Sequence, residues 1–350
     1  MGVYNDTFRT AADLTAVARG AADAVEAADA LTPFLPSVES QTLDFDLDAD
    51  VLALPRSASF RSFDAAAPFG KEKSVGSRKG SLPAASIMLR VNELDQLRFR
   101  QASDDAIGAS VERKALLSGQ SLAIRAIFAR GDLIANGSVT LTAENGLTTV
   151  IDFGRPGGNT ITAGTVWSNI ASTPLTDILS ALAYYNTLNG GPTDTAITST
   201  NVLNALAVNT SVIAAARGSN GGSGLTRIAP GEVLSVLAAY GLTDVVAYDK
   251  QYEDVTGTTR RVIPNDRFIL VPSRNTGLVG DTGPVGQTLW GVPAEALEDS
   301  YGIGGGDQAG IFAAAFKDSN PERIEVLASS IFLPVGSTAG VKGTVSLDVL

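Results

Sequence analysis

Residues 138–168 read SVTLTAENGLTTVIDFGRPGGNTITAGTVWS. Val139 and Leu141 alternate with polar residues on the way to Asn145-Gly146, and Leu147, Thr149, Ile151 and Phe153 alternate on the way out. A period of two marks half-buried strands, and Asn-Gly readily takes the positive φ angles of a tight turn. The stretch therefore predicts a β-hairpin.

Upstream, the period changes from two to helical. Ser103 and Asp104 offer N-terminal caps, and Ile107, Val111, Ala115, Leu122 and Ala126 share one side of a helix expected from about Asp104 to Ala129. Gly119 at its middle costs up to about 1 kcal/mol relative to Ala, which points to a kink or a close packing contact. Before this helix, Leu43, Phe45, Leu47 and Val51 alternate with acidic residues, and Ile87, Leu89 and Val91 alternate again. Between these two strands runs a long polar excursion rich in Gly, Ser, Lys and Arg, too irregular and too long for an ordinary connection. Residues 10–30 form an Ala-rich amphipathic helix that Pro33 and Pro36 close, with Phe34-Leu35 as a docking point.

Downstream, Thr173-Pro174 head a helix that Gly190 stops. A strand at Thr195–Thr198, a helix over 201–215, a helix after Pro230, and strands near 245–252, 260–263 and 268–271 complete an α/β stretch of about residues 173–275. The strand-rich segments 311–316, 324–332 and 345–349 return to pair with earlier strands. The expected class is α+β, with an α/β unit inserted into a discontinuous first unit.

Composition bounds the chemistry. The 350 residues carry a net charge of −11 and contain neither Cys nor His. Disulfides, thiolate metal sites and Cys or Ser-His-Asp nucleophiles are thereby excluded. No phosphate-binding loop is present, and Gly302-Ile303-Gly304-Gly305-Gly306 lacks the preceding strand that a dinucleotide site requires. Arg130-Gly131-Asp132 matches an adhesion tripeptide, but the simpler reading is a helix end. No basic, apolar leader opens the chain, and no apolar run is long enough to span a bilayer. No catalytic constellation, cofactor site or metal site is expected.

Charge is unevenly placed. Residues 1–50 hold ten acids against Arg9 and Arg19, whereas residues 51–100 hold nine bases against four acids. Such segments can pair within one chain or across subunits. Asp44, Asp46 and Asp48 share one face of a strand, which reads as a solvated edge more simply than as a cation site.

The order and spacing of Ala135-Asn136-Gly137, Asp152-Phe153-Gly154, Trp167 and the Pro174-Leu175-Thr176-Asp177-Ile178 helix resemble the phage lambda-type major capsid protein E family. Ser319-Asn320-Pro321-Glu322-Arg323, Ala328 and Pro334 resemble its closing strand. The resemblance spans about residues 85–335. It implies the Hong Kong 97-type fold: an N-arm (1–42), an E-loop (43–92), a P-domain (93–172 and 276–350) with a spine helix at about 104–130, and an A-domain (173–275). It also implies a major capsid protein of a tailed phage that self-assembles into pentamers and hexamers of an icosahedral shell. That shell encloses double-stranded DNA without sequence-specific binding.

A separate scaffolding protein and a portal at one vertex are the implied partners, with no membrane, and the sequence leaves open whether a decoration protein binds outside. Assembly is expected in the host cytoplasm, and the product is the virion. Lys71, Lys73, Arg78 and Lys79 in the E-loop, with Asp44, Asp46 and Asp48, are the candidate intersubunit contacts. Two rival readings are an encapsulin-type compartment on the same fold and a monomeric hydrolase that uses carboxylates alone.

Overall fold

The computed structural model describes residues 3–48, 77–91, 104–142, 148–218, 224–253, 257–274, 283–304, 308–319 and 322–350. Strand β1 (Val3–Tyr4) leads into helix α1 (Ala11–Ala27). The Thr10 hydroxyl caps α1 by accepting from the Asp13 amide at 3.2 Å. Ala11, Leu14, Ala18 and Ala22 recur at helical spacing and are all buried. The helix is followed by β2 (Ser37–Glu39), β3 (Asp44–Asp48), β4 (Ser77–Ser81) and β5 (Ala84–Val91).

Helix α2 (Asp104–Asn136) has 33 residues and is about 50 Å long at 1.5 Å per residue. It passes the end expected near residues 129–130. Gly131 does not stop it: without a Cβ there, Val262 packs directly on the helix backbone, and Leu133, Ile134 and Ala135 continue the buried side. The helix stops instead at Gly137, whose φ of 72° suits glycine. Gly119 marks a close packing contact, since a Cβ there would overlap the Ala18 carbonyl of α1.

Strands β6 (Ser138–Thr142) and β7 (Thr148–Asp152) pair antiparallel, with Thr142 opposite Thr148. Asn145-Gly146 lies between them, outside the described residues. After β8 (Thr160–Thr162) come α3 (Pro174–Asn189), β9 (Thr195–Thr198), α4 (Thr200–Val208), α5 (Thr210–Arg217) and α6 (Pro230–Ala239). The helix expected over 201–215 is two helices. Between them Asn209 is buried in extended backbone, accepting from Ser211 N–H at 2.9 Å and donating to the Ser172 carbonyl at 3.1 Å. The strand expected near 245–252 is likewise two, β10 (Asp244–Ala247) and β11 (Gln251–Glu253). The chain continues through β12 (Thr259–Arg261), β13 (Arg267–Val271), β14 (Gly286–Gly291), β15 (Ile311–Ser319), β16 (Glu322–Gly336), α7 (Thr338–Gly343) and β17 (Val345–Asp348).

Two larger sheets organise these elements. The first is built on β16. Strand β15 pairs with its first part and β14 with its last, while β5 runs antiparallel along the other side. β1 adds outside β15, and β2 adds in parallel outside β14. The second sheet has the order β10-β9-β13-β17-β8, so it takes in strands from beyond residues 173–275.

Its two faces feed two cores. Ala196, Phe268, Leu270 and Leu347 pack under helices α3 to α6 with Trp167. Ile197, Ile269 and Val271 pack with Ile127, Leu133 and Ile134 of α2 and with Leu31, Phe34 and Leu35. A third core lies between α1, α2 and the first sheet. Burial on both faces accounts for the unbroken apolar run of β13.

Candidate assembly surface

The acidic strand singled out in the sequence meets the end of the basic excursion within one chain, where residues 77–81, expected to be irregular, form a strand because Asp44–Asp48 pairs along them. β3 and β4 are antiparallel, with Asp44 opposite Ser81, Asp46 opposite Lys79, Leu47 opposite Arg78 and Asp48 opposite Ser77. Opposite charges placed directly across such a pair favour the register. Asp44 is exposed. Lys71 and Lys73 lie outside the described residues, as do the side chains of Asp46, Asp48, Arg78 and Lys79.

The root of this ribbon is apolar. Phe45 is buried opposite Gly80, where a Cβ would meet its ring, and it stacks on Phe153 with ring centres 6.4 Å apart. Among the described residues, no group of three or more acidic side chains is arranged to hold a metal ion.

The N-terminal segment binds the outer edge of the first sheet from end to end. Val3 pairs with Lys317, and Asn5 N–H donates to the Ala315 carbonyl at 3.0 Å. The Thr15 hydroxyl accepts from Ala313 N–H at 3.0 Å and donates to the Ala313 carbonyl at 3.1 Å. Arg19 Nε donates to the Ile311 carbonyl at 2.8 Å. Further on, Val285 N–H donates to the Phe34 carbonyl at 3.2 Å and Thr288 N–H to the Pro36 carbonyl at 2.7 Å.

The segment is also held from within by groups that the sequence reading missed. Arg130 is fully buried, so the adhesion tripeptide is ruled out as an exposed motif. Its Nη2 donates to Glu26 Oε1 at 3.0 Å and Ser37 Oγ at 2.7 Å, its Nη1 to Thr32 Oγ1 at 3.1 Å, and its Nε to Thr288 Oγ1 at 2.8 Å. Nearby, the Tyr248 hydroxyl donates to Asp29 Oδ1 at 2.7 Å, and Lys250 Nζ lies 3.1 Å from the same oxygen. Burial first, and then the Asp29 charge, push the Tyr248 phenol well above its ordinary range. One signal was available in the sequence: Glu26 falls four residues after Ala22 on the buried stripe of α1, where a carboxylate requires a partner.

The hairpin stretch itself forms the joint between α2 and the second sheet. Arg155 Nη1 donates to the Ile134 and Ala135 carbonyls at 3.3 and 2.8 Å, satisfying the last turn of α2. Burial and the neighbouring Arg267 lower the Arg155 pKa to about 10, which leaves it charged at neutral pH. Asn159 donates to the Lys342 and Thr344 carbonyls at 2.6 and 2.8 Å, tying β8 to the start of β17. Trp167 is fully buried and donates to Asp177 Oδ2 at 2.9 Å.

Comparison with known proteins agrees with this geometry. The family model of phage major capsid protein E matches residues 37–345. A solved structure described as the capsid protein of a prophage of Escherichia coli CFT073 superposes with a TM-score of 0.59 at 16% identity, covering 97% of this chain and 99% of that one. A phage-related protein from Bordetella bronchiseptica RB50 superposes with a TM-score of 0.55 at 12% identity, covering 99% and 98%. No curated protein sequence matches. The architecture is the Hong Kong 97-type capsid fold. The family match runs from the first residue of β2 to the first of β17, so the chain belongs to the phage major capsid protein E family, a shell-building structural protein of the virion and not an enzyme.

Proposed function

We propose that copies of this chain assemble as pentamers and hexamers into an icosahedral shell around double-stranded phage DNA. The charged ribbon and the residues between its two strands reach a neighbouring subunit. On this reading residues 1–42 act as the N-arm, 43–92 as the E-loop, 173–275 as the A-domain and the remainder as the P-domain, with α2 as its spine.

The observation that carries the reading is the β3–β4 ribbon. Its strands are opposite in charge, it is rooted by Phe45 on Phe153, and residues 49–76 connect its ends. Lys71, Lys73, Arg78 and Lys79 supply positive charge, and Asp44, Asp46 and Asp48 supply negative charge, at contacts that salt weakens. Each contact is modest, and repetition over the lattice makes the shell stable. With a net charge of −11, the chain offers packaged DNA little adhesive surface. A separate scaffolding protein acts during assembly in the host cytoplasm, and a portal occupies one vertex.

The test is to reverse Lys71, Lys73, Arg78 and Lys79 to Glu together. Negative-stain images are expected to lose shells while circular dichroism of the subunit is unchanged. Normal shells from this variant would remove the ribbon from the assembly contacts.

A further inference from the structure

The two sides of the sheet built on β16 are finished differently. Along β15 and β14, the N-terminal segment takes the outward groups of Lys317, Ala315, Ala313, Ile311, Thr288 and Val285, as described above. What remains outermost there are β1 and β2, of two and three residues, too short to template another strand.

On the opposite side lies β5, with eight residues, and among the described residues it pairs with β16 alone. Phe332 N–H donates to the Pro83 carbonyl at 3.2 Å, and this sets the alternation of the antiparallel ladder. Ala85, Ile87 and Leu89 turn their backbone groups toward β16. Ala84, Ser86, Met88 and Arg90 turn theirs away.

Those four residues are also the exposed ones of the strand, and Met88 is 46% exposed. No proline interrupts β5, and its one charge does not guard the edge, because Arg90 Nε is engaged by Glu325 at 2.9 Å. An edge of this length and polarity is ordinarily shortened, charged or covered. The same chain covers its other edge with 38 residues of strand, helix and strand between Val3 and Ser40, whereas no other described strand pairs with this one.

We propose that the outward edge of β5 receives an extended segment from a second copy of this chain, which adds a strand to the sheet through main-chain hydrogen bonds. The ligand class is an extended polypeptide. Main-chain pairing supplies the affinity, and the exposed row Ala84, Ser86 and Met88 supplies a shallow apolar surface for alternate side chains. The second copy is the occupant because the family builds shells, so the inference rests on that reading.

The experiment is hydrogen exchange over residues 84–91, compared between free subunits and purified shells, together with Ser86→Pro and Met88→Pro. Each substitution deletes one outward N–H and leaves the ladder to β16 intact. The expected result is that the outward amides exchange freely in the subunit and slow by about tenfold or more in the shell. Both proline variants are expected to melt like the parent and to lose shells. Unchanged exchange over 84–91 on assembly overturns the inference, whatever the variants do. Normal shells from both proline variants would overturn it too. If the parent chain forms no shells, the shell reading itself fails, and that outcome is distinct from the other two.

Discussion

Replacing Arg130 with Met probes how the N-terminal segment is held. The guanidinium is wholly buried and donates to Glu26, Thr32, Ser37 and Thr288. Methionine fills much of the same space, so the main loss is electrostatic: the Glu26 carboxylate, itself 8% exposed, is left without its cation. Breaking a buried pair from one side costs about 3–5 kcal/mol. For 350 residues unfolding as a unit, at about 2.1 cal/mol/K of unfolding entropy per residue, that lowers Tm by about 4–7 °C.

The double variant Arg130→Met, Glu26→Leu should recover most of the loss. It removes both charges, and the hydroxyl of Thr288 keeps the Leu35 carbonyl, 3.0 Å away, as its acceptor. Differential scanning calorimetry of unassembled subunits measures both effects. A single variant within about 1 °C of the parent, or a double variant as unstable as the single, would refute the reasoning.

Four further outcomes are expected. Gly119→Ala forces α1 away from α2; overpacking of about 1–3 kcal/mol outweighs the helix-propensity gain of up to about 1 kcal/mol, and a rise in the urea midpoint would contradict the close contact with Ala18. Burial raises the Asp132 carboxyl above its ordinary 3.8, against the opposing pull of Arg125 and Arg260. The folded state therefore holds that proton more tightly, and stability falls as pH climbs from 3.8 through the raised value. Asp132→Asn removes this fall, so its Tm should gain on the parent at neutral pH and not at acid pH; a pH-independent gap would count against it. Phe45→Ala should release the β3–β4 ribbon, seen as faster exchange over 44–48 and 77–81 with little change in the global melt, and unaltered protection would show that the Phe153 stack does not anchor it. The fourfold charge reversal of the basic loop, assayed by electron microscopy, is the direct check on the assembly contacts.

Features encoded within a few residues were legible in the sequence. Pro174 and Gly190 bound α3, alternation marked β5 to β7, and α1 is the Ala-rich helix expected, packed through Ala11, Leu14, Ala18 and Ala22. Features decided by distant partners were not. Gly131 reads as a helix end until Val262 is known to pack on it, and Asn209 reads as helix interior until Ser172 is known to receive its amide. β14 is short, bounded by glycines and held between β2 and β16, so nothing local announces it. The assembly residues divide in the same way. The opposition of charge between residues 1–50 and 51–100 was visible, whereas the register that sets Asp46 across from Lys79 was not. Arg130 escaped because its partners lie at positions 26, 32, 37 and 288, which only the tertiary fold brings together.

The place of β17 in the second sheet orders events during synthesis. The strand is formed by residues 345–348, yet it lies between β13 and β8, which are made earlier. Until these four residues leave the ribosome, β13 has no neighbour on one side and β8 has none on β17's side. The core beneath α3 to α6 also lacks Val345, Leu347 and Val349. A nascent chain thus carries an unclosed sheet, and the finished subunit surface exists only after translation has passed this strand.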